Sequence, residues 1–141
     1  MKKPHGFTLV EILIVVSVIA LLMTILIPHV VRVRLLANES SAQATLKAIA
    51  VALENYANDN NNYYPANPSL LLSSNPSYIT VNYFSGIYNG YTFAHQITNQ
   101  SYEITATPVN SNSGSQIFFI VTGGVLRASK TPPFPPPSVD S

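Results

Sequence analysis

Residues 1–31 read MKKPHGFTLVEILIVVSVIALLMTILIPHVV, and the fold turns on how this stretch is read. From Phe7 to Val31 it is apolar for about 25 residues, enough to cross a ~30 Å hydrocarbon layer as a helix. Ile, Val and Leu fill it with almost no periodicity, as in a helix that is apolar all round. Glu11 breaks the run. An ionised acid in a spanning helix costs roughly 2.5–3.5 kcal/mol at mid-bilayer, less near an end. One reading is local: Thr8-Leu9-Val10-Glu11 has the spacing of a capping box, with the acid satisfying N–H groups at the helix start. The other is that the carboxylate meets a partner the run itself does not supply. A cleavable secretory signal fits poorly, because the apolar stretch is too long and no clean small-residue cleavage site follows it.

Outward from this run, the next segment changes character. In residues 38–59, NESSAQATLKAIAVALENYAND, the positions Ala42, Leu46, Ile49, Ala50, Leu53, Tyr56 and Ala57 recur at three- and four-residue steps. Glu39, Gln43, Lys47 and Glu54 lie off that stripe. No turn cluster separates the two segments. Pro28 kinks a helix rather than ending it. The pattern predicts one helix from about Phe7 to about Asn58, roughly 75–80 Å long at 1.5 Å per residue. Asp59-Asn60-Asn61-Asn62 ends it. A Pro-punctuated loop follows, with a short turn at Leu70–Leu72. Strands are predicted at 90–97, 102–109, 116–122 and 125–128. The tail from Lys130 holds five prolines and is expected to be extended and flexible.

The 141 residues carry a formal net charge of +1, with 9% charged side chains and no Cys. That leaves room for one small core, excludes disulfides and thiolate metal sites, and offers nucleic acid no basic patch. His5, His29 and His95 are scattered, and no phosphate-binding or nucleophile motif is present. No enzyme, cofactor or metal site is expected. The Tyr-rich middle, Tyr63 to Tyr91, reads as core and interface packing.

The stretch GFTLVEILIVVSVIALLMTILIP resembles the N-terminal signature of type IV prepilins and pseudopilins. The resemblance implies cleavage by a prepilin peptidase between Gly6 and Phe7, N-methylation of Phe7, and an assembly role for Glu11, the acid five residues into the mature chain. Thr8 and the kink residue Pro28 also match. The middle and C-terminal segments look like short major pilins and pseudopilin G-like proteins. The expected fold is therefore α+β: a pilin-like lollipop with a long helix packed against an antiparallel sheet of three or four strands. Its expected parts are a leader (1–6), an apolar helix (7–31), the amphipathic half of that helix (32–60), the loop and sheet (61–129) and the tail (130–141). The resemblance implies a structural subunit that forms a helical homo-oligomeric filament, with the inner membrane and the pilus or secretion machinery as partners. The precursor would keep Lys2 and Lys3 cytoplasmic and its head outside, and the filament would stand on the cell surface. Two alternatives are a periplasmic pseudopilin of type II secretion and a membrane anchor that never polymerises. The chain departs from the secretion subunit in its acids: past Asp59 only Glu103 and Asp140 remain, too few for that subunit's calcium site. Arg32 and Arg34 suit lipid headgroups, or Glu39 of a neighbouring subunit, or simply a solvated helix segment.

Overall fold

The computed structural model describes residues 3–130. Lys2 and the tail beyond Lys130 lie outside the described residues. Helix α1 spans Leu9–Asp59 with Pro28 inside it, close to the expected span. Pro28 has no N–H, so the Thr24 carbonyl loses its helical donor. The chain divides between Arg34 and Leu35 into two units.

In the first unit every described residue, 3–34, is exposed. This part of α1 is long and apolar enough to cross a membrane, with a mean hydropathy of 3.0 in its most apolar window. Its two hydroxyls bond to the helix's own backbone: Ser17 Oγ donates to the Leu13 carbonyl (2.7 Å) and Thr24 Oγ1 to that of Leu21 (2.6 Å). Neither hydroxyl therefore needs a partner from outside the helix.

The second unit is built on the rest of α1. Ala42, Leu46, Ile49, Ala50, Leu53 and Ala57 are buried, as the stripe predicts, and Ala52 and Thr45 join them. The small Ala side chains let the sheet come close. Helix α1 ends where Asn62 N–H donates to the Ala57 carbonyl (2.8 Å), with Asn61 and Asn62 at positive φ. Asn tolerates that region better than most residues, which is why the Asn run stops the helix. A short α2 (Ser69–Ser73) sets Leu71 fully into the core.

The sheet has five antiparallel strands in sequence order: β1 (Ile87–Tyr88), β2 (Tyr91–Ile97), β3 (Tyr102–Pro108), β4 (Ile117–Val121) and β5 (Val125–Ser129). That is one more than expected. The additional strand is β1, only two residues long, paired to β2 through Asn89-Gly90. Both turn residues have positive φ, 48° and 79°, as a tight hairpin turn of this kind requires. The apolar face of the meander presents Tyr91, Phe93, Tyr102, Ile104, Ala106, Phe118 and Ile120 to the same core cluster as the helix stripe.

Leu53→Ala, at a position with no solvent exposure, should destabilise this unit by about 2–5 kcal/mol. Denaturant unfolding followed by tyrosine fluorescence measures it. A loss below the cost of an exposed substitution such as Val51→Ala would contradict the core described here.

Candidate assembly site

At the start of α1, Thr8 N–H donates to Glu11 Oε2 (2.7 Å), and Glu11 N–H donates to Thr8 Oγ1 (3.2 Å). This is a complete capping box, so the local reading of Glu11 is realised in the full-length chain. The carboxylate lies in the first turn, where the helix dipole favours negative charge. Phe7, immediately ahead, is 86% exposed. A side chain at Gly6 would meet nothing within 4 Å. The packing of the chain therefore makes no demand for glycine there. Thus Gly6, Phe7 and Glu11 lie within a single exposed turn, and Pro28 sits five turns further along the helix.

The second unit holds two further carboxylates of α1, and here the sequence reading needs correction. Glu39 and Glu54, placed off the apolar stripe, both turn inward. Glu39 is only 8% exposed. Its Oε1 accepts the Ser115 N–H (2.8 Å) and hydroxyl (2.7 Å). Asn38 Nδ2 donates to the Ser113 carbonyl beside it (3.2 Å). Glu54 Oε1 accepts from Tyr102 Oη (3.0 Å), Tyr64 Oη (3.2 Å) and Gly123 N–H (3.0 Å). Helical spacing could not disclose this, because the donors come from loops and strands remote in sequence. Gly114 completes the first cluster: a Cβ there would overlap the Tyr91 hydroxyl, which donates to the Gln116 carbonyl (3.0 Å).

The phenols titrate accordingly. Burial, and second the Glu39 charge, push Tyr91 up to about 12. Burial, and second the hydrogen bond to Glu54, raise Tyr64 and Tyr102. Glu103 stands apart on β3: its Oε1 is buried without a partner among the described residues, and burial raises its carboxyl. Among the described residues no three His, Asp or Glu side chains converge on a metal-sized space.

A membrane-length exposed helix, continuous with the helix that carries a small antiparallel meander, defines a membrane-inserted structural subunit rather than a catalytic domain. Residues 1–27 match the prokaryotic N-terminal methylation motif, and residues 33–116 match the family described as type IV minor pilin ComP, DNA uptake sequence receptor. The chain is 33% identical over 111 residues to the type IV wide pilus major component PilA4 of Thermus thermophilus, covering 77% of this chain and 85% of that one. It is 34% identical over 61 residues to the type IV major pilin PilA of Myxococcus xanthus, covering 43% of this chain and 28% of that one. No solved structure matches. The chain belongs to the type IV pilins, and its function is that of a structural pilus subunit.

Two outcomes test the buried clusters. Glu54→Gln keeps the shape but weakens three hydrogen bonds to a charged acceptor, and should cost about 1–3 kcal/mol in denaturant unfolding. The raised phenols stabilise the fold fully below their unfolded value near 10, and that contribution is lost as pH rises towards about 12. Thermal unfolding should therefore fall off across that window, and less steeply in Tyr91→Phe. An equal slope in Tyr91→Phe would remove Tyr91 from this account.

Proposed function

We propose that residues 1–6 are removed by cleavage between Gly6 and Phe7, that the new Phe7 amine is methylated, and that Glu11 neutralises this amine. The observation that carries the reading is the turn at Gly6–Glu11. It places a carboxylate four residues from the prospective terminus, at the mouth of an apolar helix that nothing in its own unit covers. The match of residues 1–27 to the methylation motif supports it. In the membrane the amine and the carboxylate of one chain compensate each other. In the filament Glu11 takes the Phe7 amine of an adjacent copy. An unpaired buried charge is costly, so the pair favours one axial offset between copies. The cap seen in the full-length chain does not compete with this role. Glu11 Oε2 holds the Thr8 N–H and Oε1 takes no hydrogen bond among the described residues, leaving an oxygen for the amine.

The filament is then a homo-oligomer whose apolar helix segments pack together. The precursor resides in the inner membrane with its N-terminus cytoplasmic, and the chain catalyses nothing itself. The leader peptidase and the assembly machinery act on it. The description of the family matched by residues 33–116 names a DNA uptake sequence receptor. In that stretch this chain has only Arg34 and Lys47 against Glu39, Glu54, Asp59 and Glu103, which gives a phosphate backbone little to bind. A filament subunit is the better reading.

Mass spectrometry of the N-terminal peptide tests the processing. Sheared surface filaments should yield N-methyl-Phe7, and a chain still beginning at Met1 there would refute cleavage. Glu11→Gln separates the two roles of the acid, because Gln still completes a capping box but cannot neutralise the amine. Filament yield should drop at least ~100-fold, since an unpaired buried charge costs about 3–5 kcal/mol. Wild-type assembly in both Glu11→Gln and Glu11→Ala would leave the cap as the only role of Glu11.

A further inference from the structure

Glu39 poses a problem of charge. It is nearly buried, yet both donors it receives, the Ser115 N–H and hydroxyl, are neutral, and both go to Oε1. Its Oε2 accepts no hydrogen bond among the described residues and is not among the atoms closed off from solvent. Asn38, Ser41 and Asn89 nearby are spent on neutral bonds of their own, Asn38 to the Ser113 carbonyl and Asn89 Nδ2 to Ser41 Oγ (2.8 Å). A half-used carboxylate therefore opens at the surface of the second unit. Five and seven residues earlier on α1, Arg34 and Arg32 are fully exposed, and neither forms an ion pair among the described residues. They cannot serve Glu39 of their own chain well. Residues five apart on a helix point about 140° away from each other, and seven apart they are about two turns distant.

The offset between copies changes this. Pairing Glu11 of one copy with the Phe7 amine of the next brings residue n of the second level with residue n + 4 of the first. The copies are identical, so the bend at Pro28 is shared and the same operation carries the offset along the helix. Arg34 of the second copy then comes level with residue 38 of the first, one residue or about 1.5 Å from Glu39. The polarity is also the same: in both pairs the cation lies N-terminal to the acid.

We propose that Glu39 accepts the Arg34 guanidinium of an adjacent subunit, so that the register set at Phe7 and Glu11 is set a second time where the apolar run ends. The proposal rests on the filament reading given above. It gives Glu39 two tasks through its two oxygens. Oε1 fixes the loop at Ser115 within its own chain, and Oε2 receives the neighbour. An arginine suits this role because its planar fork forms directed bonds to a carboxylate, whereas a lysine supplies only a point charge.

The test uses Arg34→Lys, which places a primary amine where a carbodiimide can couple it to a carboxylate within contact distance. Intact filaments of this variant, treated with carbodiimide and dissociated, should give a ladder of covalent multimers, with the linked peptides mapping to positions 34 and 39. Filaments of Arg34→Lys combined with Glu39→Gln should lose the ladder, because the amide keeps the Ser115 bonds but offers no carboxylate to couple. Normal Arg34→Lys filaments without a 34–39 link, or a ladder that persists with Glu39→Gln, would overturn the pair. Absence of filaments from the parent chain would instead refute the filament reading itself, so the two failures are distinguishable.

Discussion

The structure depends on a single helix whose two parts meet different surroundings. Between Ala42 and Ala57 the helix hides a narrow apolar stripe under a sheet, as any amphipathic helix does. Between Leu9 and Arg34 it is apolar on every side and hides nothing. Water cannot be the solvent of that part, and no fold of the remaining ~100 residues has the surface to cover it. Lipid and copies of itself are the two environments that suit an all-apolar helix, and a pilin uses both. The polar groups of the segment are prepared for either. Ser17 and Thr24 bond to the helix backbone, and Glu11 caps the first turn.

The acids of α1 share one device. Glu11 binds the N–H of Thr8, Glu39 that of Ser115 and Glu54 that of Gly123. In each case a carboxylate on the helix fixes a piece of irregular backbone: the chain before α1, the β3–β4 loop and the β4–β5 turn. Loops leave N–H groups unpaired, and a charged acceptor satisfies them better than a neutral one. The helix thus orders the connections of the sheet as well as its apolar face. Two of these acids, Glu11 and Glu39, still keep one oxygen for another molecule.

Periodicity made the helix legible. Its apolar run, its stripe and its Asn stop are all local properties, and the observed ends fall within two residues of the predicted ones. Four strands were legible for the same reason. Strand β1 was not, because two residues carry no alternation; the Asn89-Gly90 pair was the signal that pointed to it. The inward turn of Glu39 and Glu54 was illegible in principle. A carboxylate is polar by any scale, and what buries it here is donors up to 76 residues away in sequence. At the N-terminus the spacing of Gly6, Phe7 and Glu11 was plain, but its meaning was not: the capping box and the assembly acid demand the same residue at the same place.

The neutral character of those ties has a consequence for the environment the subunit endures. Among the described residues the folded unit draws its cohesion from apolar contact and from bonds between carboxylates and uncharged donors, and no paired cations take part. Dissolved ions have little to screen in such an interior. A subunit of this kind keeps its shape whether the cell lies in fresh water or brine. What ionic strength can alter is the grip of one copy on the next, so salinity would act on the filament and leave its bricks unchanged.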